Sequence, residues 1–256
     1  MKPKRFYGKG IPKLDPSQLS GTLIVIEGSD GAGRSTQIQL LSNWLEKLGY
    51  PVVVVGLKRS ELAGEALAHA MQGTTLNTMT MSLFYATDFA DQLERVIVPA
   101  LKASFIVLAD RYIYTLMARD IVRGASSDWL KSIYDIALVP DAVFYLKVSP
   151  KLLAERNFQK RGGLDYWESG MDIQRTGDRY DNFIKYQTKL HRVFDHLKKE
   201  HAFYTIQGHR TPIAIAKEIR TKIEKIISGE SLESPAKSLV PPPTLPEPAS
   251  PSTLGE

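Results

Sequence analysis

The sequence predicts a doubly wound α/β fold: a parallel five-stranded sheet with helices on both faces. Three observations carry this expectation. Five short runs rich in β-branched residues recur along the chain. They are apolar on nearly every residue rather than on alternate ones, so both faces of the sheet need cover. The segments between them carry apolar residues at spacings of three and four, the period of helices that supply that cover. The predicted strands are TLIVIEG (22–28), PVVVVG (51–56), SFIVLADR (104–111), AVFYLKV (142–148) and AFYTIQG (202–208). Helical patterns run over 35–49, 80–102, 149–161, 181–200 and 211–228. Ser149 and Thr211, each followed by a proline, are the expected N-caps of the third and fifth.

A chain of 256 residues with 43% hydrophobic content can bury one sizeable core. The stretch after Ser228 holds seven of the fifteen prolines and no aromatic residue, the composition of a disordered tail. The opening 20 residues lack periodicity. The expected organisation is therefore an arm over 1–20, a domain over 21–229 and a Pro-rich tail over 230–256, in which VPPPTLPEP could serve a groove-bearing partner. There is no cysteine, which removes disulfides, thiolate metal sites and cysteine nucleophiles. No apolar run approaches the ~20 residues of a membrane span, and the N-terminal stretch has no signal-peptide core, so a cytoplasmic protein is expected. The net charge of +5 is scattered, which suits a small anionic ligand better than nucleic acid.

The first strand runs directly into EGSDGAGRST and a helix, the context of a phosphate-binding loop. Gly28, Ser29, Asp30, Gly31, Ala32 and Gly33 form the wrap whose N–H groups can face phosphate oxygens. Arg34, Ser35 and Thr36 open the helix that adds its positive end. Ser35 is placed to offer its hydroxyl to Mg²⁺. Arg34 stands where such a loop carries lysine; it keeps the charge but changes a compact ammonium into a planar fork. On this reading Arg34→Lys raises turnover. The third strand ends in LADRYIYTLMARD, placing Asp110 to hold magnesium-bound water and Arg111 to clamp an acceptor phosphate.

With these motifs in one order, the chain resembles the thymidylate kinases, a family of P-loop nucleoside monophosphate kinases. IEGSDGAGRSTQ is similar to F-E-G-x-x-G-x-G-K-S-T-Q, LFYATDFADQLERVIVPAL to L-F-A-A-D-R-x-x-x-x-x-x-I-x-P-A-L, and DRYIYTLMA to D-R-Y-x-x-S-x-x-A. PDAVFYLKVSPKLLAERNFQKRG is similar to P-D-L-T-x-x-L-D-V-x-P-E-x-A-L-x-R-x-x-x-R-G. The resemblance implies ATP and Mg²⁺ as cofactors, a small nucleotide as substrate and a homodimer. It makes Asp30 a loop carboxylate near the acceptor, Asp110 the magnesium-associated acid, and Arg111 the arm on the acceptor phosphate. Phe84 becomes the ring on the base, with Tyr112 beside Arg111 and Lys58 or Arg59 as a further cation. Because the loop carries Gly31 rather than arginine, the resemblance gives the catalytic cation to the lid, as Arg156, Lys160 or Arg161. Arg175 and Arg179 match further basic positions.

The departures gather at the acceptor. Asp88 stands where the family has the arginine that bonds the thymine carbonyl, and Arg119 and Asp120 replace an aromatic residue and glutamine. DYWE (165–168) replaces D-R-F-E. If Asp88 faces the base, specificity among pyrimidine monophosphates relaxes. Three readings follow: a kinase acting on dTMP or a related pyrimidine monophosphate, a weakly active nucleotide-binding sensor or interaction module, and a kinase for another phosphorylated acceptor.

Overall fold

The computed structural model describes residues 3–73, 76–174 and 176–230. The sheet consists of β1 (Thr22–Glu27), β2 (Val52–Gly56), β3 (Ile106–Asp110), β4 (Ala142–Lys147) and β5 (Tyr204–Gln207). All neighbours are parallel, in the order β2-β3-β1-β4-β5. The predicted fold class and all five strands are borne out. The apolar strands divide their side chains by parity: Leu23, Val25, Val107 and Tyr145 join a core on one face, and Ile24, Ile26, Leu108 and Phe144 a core on the other.

The second core is covered by α1 (Arg34–Lys47), α7 (Pro150–Arg161) and α9 (Pro212–Ile227), which contribute Leu41, Leu45, Leu153, Ile215 and Ile219. Against the first lie α3 (Thr78–Gln92), α5 (Ile113–Val122) and α8 (Arg179–His201), with Phe89, Tyr114, Leu190 and Phe194. Ser149 and Thr211 cap α7 and α9 as expected, accepting from Leu152 and Ala214 N–H. Between α3 and α4 (Val98–Lys102) the helix widens into a π turn over Leu93–Ile97. Pro99 lies just beyond it and lacks the N–H an α-turn would require, which favours the wider turn. Three helices go beyond the predicted patterns: α2 (Gly64–Gly73), α5 and α6 (Ser127–Ile133). Among the described residues no helix is long and apolar enough to cross a membrane.

The N-terminal arm lies along the domain. Tyr7 N–H donates to Ala137 O at 2.9 Å, Val139 N–H donates to Arg5 O at 2.8 Å, and Phe6 bridges Leu138. Lys4 is buried and paired with Asp141, whose carboxylate also accepts from Leu23 N–H in β1 at 2.7 Å. Lys4→Ala leaves Asp141 without its cation in a half-dry site and is expected to cost about 3 kcal/mol. At ~2–4 °C per kcal/mol for a chain of this size, thermal melting should fall by roughly 6–12 °C. The expected tail falls almost entirely outside the described residues.

Candidate active site

The loops after β1, β2 and β3 open at one edge of the sheet, because all three strands run in the same direction. β1 ends in Glu27, a fully buried acid in an otherwise apolar strand. Its carboxylate accepts from Tyr112 N–H at 2.9 Å, Thr115 N–H at 3.3 Å and the Thr115 hydroxyl at 2.5 Å. Glu27 thus caps α5 from the neighbouring strand and fixes the turn that carries Arg111. Burial pushes its carboxyl pKa up. The lone acid in TLIVIE was the signal for this role, which the sequence reading did not assign.

The phosphate loop closes with Gly31 at φ +85° and Gly33 at φ +96°, both in the left-handed region. A Cβ on Gly31 would lie 3.1 Å from Asn157 Nδ2 on α7, so a side chain there would have to push that amide aside as well as adopt a left-handed backbone. Asn157 donates to Asp30 O at 3.2 Å. Arg156 donates to Gly31 O at 3.2 Å and Gly208 O at 2.9 Å. Arg156 therefore props the loop from behind. Arg161, at the end of α7, brings Nη1 within 3.9 Å of Asp30, and Lys160 beside it is exposed. Ala32 is buried, Thr36 is exposed, and the N–H groups of the first turn of α1 point out of the helix end without intrahelical partners.

Arg34 turns back into the loop and is 8% exposed. Its Nη1 donates to Gly28 O at 2.5 Å and Ser29 O at 2.6 Å, its Nε to Asp110 at 2.8 Å and its Nη2 to Asp30 at 3.2 Å. Burial works against the charge, but Asp110 and Asp30 outweigh it and hold the guanidinium pKa above its ordinary value. One fork serves four acceptors, a set that the three donors of a compact ammonium do not match in geometry. The Ser35 hydroxyl lies 3.4 Å from the other Asp110 oxygen, which places two hard oxygen ligands side by side.

Arg111 sits opposite at φ +73°, a left-handed conformation that costs energy for a side chain of this kind. Its Nη2 donates to Asp30 at 2.6 Å and lies 3.9 Å from Glu168. Burial, and then Arg34, lower its pKa. Burial alone would raise the Asp30 carboxyl, but Arg111, Arg34 and Arg119 together hold it far below the usual carboxylate range. Arg111 Nε and the Ser29 hydroxyl are buried without a hydrogen-bond partner among the described residues. Such orphaned donors at a charged cleft are what an anion would satisfy.

This strand–loop–helix arrangement agrees with the comparisons with known proteins. Residues 26–212 match the family model described as thymidylate kinase. The chain belongs to the thymidylate kinase family. Among curated relatives it is 37% identical over 217 residues to the probable thymidylate kinase 2 of Saccharolobus solfataricus, covering 84% of this chain and 99% of that one. It is 27% identical to the probable thymidylate kinase of Pyrococcus abyssi, over 78% of this chain and 97% of the relative. The thymidylate kinase of Caldicellulosiruptor saccharolyticus is 33% identical over 54% of this chain and 70% of its own length.

Within this member of the thymidylate kinase family two expected base- and phosphate-side residues, Asp88 and Tyr112, stand elsewhere than the family pattern suggests. Asp88 is fully buried and bonded to protein groups rather than open to the cleft. Its carboxylate accepts from Lys58 N–H at 2.7 Å, Ser60 N–H at 2.9 Å and Gln92 Nε2 at 3.1 Å, so it shapes the loop after β2. That loop lacks the proline and glycines of the family pattern, and Asp88 supplies from α3 the order they would have given. Burial raises the Asp88 pKa against those backbone bonds. Tyr112 points into the core: its hydroxyl donates to Leu138 O at 3.1 Å and its ring meets Phe89 edge-on. Phe84 is half-buried against the core, and the next residue, Tyr85, lines the cavity described below.

The cleft side of the β2 loop is basic. Arg59 Nε lies 3.4 Å from where a Cβ on Gly56 would stand, beside the end of β3. Burial, and then Arg119 and Arg111, depress the Lys58 amine. Arg179 is exposed, with a long contact to Leu164 O at 3.4 Å, and Arg175 lies outside the described residues.

Arg119, a departure from the family pattern, pairs with Glu168, which matches it, across the seam between α5 and the lid segment. Behind them is a cavity of about 200 Å³ between α3, α5 and that segment, walled by Met81, Tyr85, Leu116, Arg119, Asp120 and Trp167 among others. Asp120 is 9% exposed, and burial pushes its carboxyl up to about 6. A raised carboxyl favours the folded state below about pH 4, and that contribution is lost as pH rises through 6. Asp120→Asn should therefore be more stable than the unmodified protein at pH 7.5, by on the order of 2 kcal/mol, and equal to it near pH 4. Thermal melting across that range measures the difference.

Proposed function

We propose that this chain is an ATP-dependent nucleoside monophosphate kinase that transfers the γ-phosphoryl group of ATP to dTMP with Mg²⁺. The observation that carries this reading is the Arg34–Asp30–Arg111 bridge. It joins the phosphate loop to the end of β3 and sets a donor cradle and an acceptor arm face to face across one carboxylate. An acceptor phosphate oxygen would attack the γ-phosphorus as the bond to the β-phosphate oxygen breaks, leaving ADP.

The loop N–H groups and the N-terminus of α1 would hold the donor's phosphates. Arg111, with Lys58 and Arg59, would hold the acceptor's phosphate, and Arg161 would reach the equatorial oxygens as the lid settles. Among the described residues no group of three or more His, Cys, Asp or Glu could hold a metal alone. The Ser35–Asp110 oxygens fit a cation carried mainly by the substrate's phosphates. When bound, Mg²⁺ would neutralise charge between the β- and γ-phosphates.

The sensor reading requires a loop disabled by its arginine. Arg34 is instead fully engaged with both carboxylates that the chemistry uses, which favours the kinase. ADP release measured over a panel of nucleoside monophosphates with ATP and Mg²⁺ tests the proposal. We expect dTMP to give the highest kcat/KM; release that is no faster with any monophosphate than with none would overturn it.

A further inference from the structure

Arg111 stands in a strained turn, and the supports of that turn extend to the N-terminal arm. On the β1 side, Arg111 N–H donates to Ile26 O at 3.0 Å and Tyr112 N–H donates to Glu27 at 2.9 Å. On the other side, Tyr112 and Tyr114 end on the arm or on the segment that the arm grips. Tyr112 donates its hydroxyl to Leu138 O at 3.1 Å. Around Leu138 the arm is fastened by Tyr7 N–H to Ala137 O at 2.9 Å, Gly8 N–H to Asp135 O at 2.8 Å and Val139 N–H to Arg5 O at 2.8 Å. A Cβ on Gly8 would run into Asp135, so this close approach depends on a glycine. Tyr114, in the first turn of α5, is fully buried, and its hydroxyl is bonded to that of Tyr7. The Tyr7 ring meets Tyr114 and His201 edge-on, with centroids 6.3 and 5.2 Å apart. Burial pushes the Tyr7 hydroxyl up to about 12, so the tyrosine pair is uncharged at neutral pH. This brace lies outside the family pattern. The arm precedes the matched residues 26–212, and Tyr114 falls on an open position of D-R-Y-x-x-S-x-x-A.

Resting on the kinase reading and deepening it, we propose that the N-terminal arm positions Arg111 for the acceptor's phosphate, with Tyr7 as the positioning residue. A left-handed arginine persists only where its surroundings over-determine it. Asp30 holds one end of the side chain, through Nη2 at 2.6 Å, while Nε is buried without a partner among the described residues. The turn beneath must therefore be held by its own neighbours if Nε is to meet a phosphate oxygen. Tyr7 does this at a distance, through Tyr114. Without the Tyr7 hydroxyl, the buried Tyr114 hydroxyl loses the partner that ties the first turn of α5 to the arm. That turn then shifts, the Arg111 backbone relaxes, and the guanidinium leaves the place where the phosphate arrives.

A double-mutant cycle in the full chain tests this, with Kd for dTMP and for ATP measured by calorimetry in the unmodified protein, Tyr7→Ala, Arg111→Ala and the double variant. Tyr7→Ala should weaken dTMP by about 10-fold and leave ATP within about 2-fold. In the Arg111→Ala background the same substitution should change dTMP by less than about 2-fold, because the residue through which Tyr7 acts is gone. Tyr7→Phe keeps the ring, removes only the hydroxyl bond and should weaken dTMP by about 3-fold. It carries the cycle if the alanine variant does not fold. An equal loss of dTMP affinity in both Arg111 backgrounds, or an equal loss for ATP, is what a merely structural arm produces and overturns this inference alone. Unchanged dTMP affinity in both Tyr7 variants does the same. An unmodified protein that neither binds dTMP nor phosphorylates it overturns the kinase reading and this inference with it.

Discussion

Arg34→Lys is expected to lower kcat/KM for phosphoryl transfer by about 10- to 100-fold. The guanidinium holds Asp30, Asp110 and two loop carbonyls at once. An ammonium has three donors and no fork, so at least one buried acceptor goes unpaired. A lost charge-assisted bond of this kind costs about 1.5–3 kcal/mol, which is the stated range in rate. Steady-state kinetics with ATP varied at saturating acceptor measure it, and circular dichroism checks the fold. Equal or higher activity in the lysine variant would mean that the arginine cage is incidental to the reaction.

Asp30→Asn is expected to have the larger effect, a loss of about 100- to 1,000-fold, comparable to removal of a preorganised charge from an active site. Asp30 is the single carboxylate that Arg34 and Arg111 both touch, with Arg161 approaching it. Without its charge these cations repel one another, and Arg111 loses the partner that holds a strained backbone in place. The variant also has a stability signature. A carboxyl held far below its ordinary value of about 3.9 stabilises the fold above that pH, and the contribution is lost as pH falls beneath it. The gap in melting temperature between the unmodified protein and Asp30→Asn should therefore be open at pH 7 and narrow below about pH 4. A gap that is constant across this range would place the Asp30 effect outside its ionisation.

Much of this site was legible in the sequence because it is local. A strand, a glycine-rich turn and a helix in immediate succession determine where Gly31, Gly33 and Ser35 stand, and an acid at a strand's end places Asp110 at the same edge. The five strands were legible for a similar reason, since a both-faces-buried strand writes its burial into every residue. What the sequence did not show depends on contacts between distant elements. Asp88 looked like a base reader from its register in α3, yet it turns to Lys58 and Ser60 because the β2 loop lacks the glycines and proline to order itself. Arg119 read as a departure, but its partner Glu168 lies 49 positions away and the pairing is not visible in either segment alone. Glu27 carried a signal, an acid inside an apolar strand, but its partners Tyr112 and Thr115 come from another strand's loop. Helix α2 follows the irregular loop after β2, and α5 begins directly after Tyr112 with an almost wholly apolar first two turns, which carry no amphipathic period.

The central claim, transfer of a phosphoryl group from ATP to dTMP across the Asp30 bridge, is tested most directly by a single turnover with γ-labelled ATP, Mg²⁺ and dTMP. The account predicts that the label appears in dTDP in proportion to ADP formed, and that Arg111→Ala removes this transfer while ATP still binds. Label released only as inorganic phosphate, or ATP bound with no label leaving it, would contradict it.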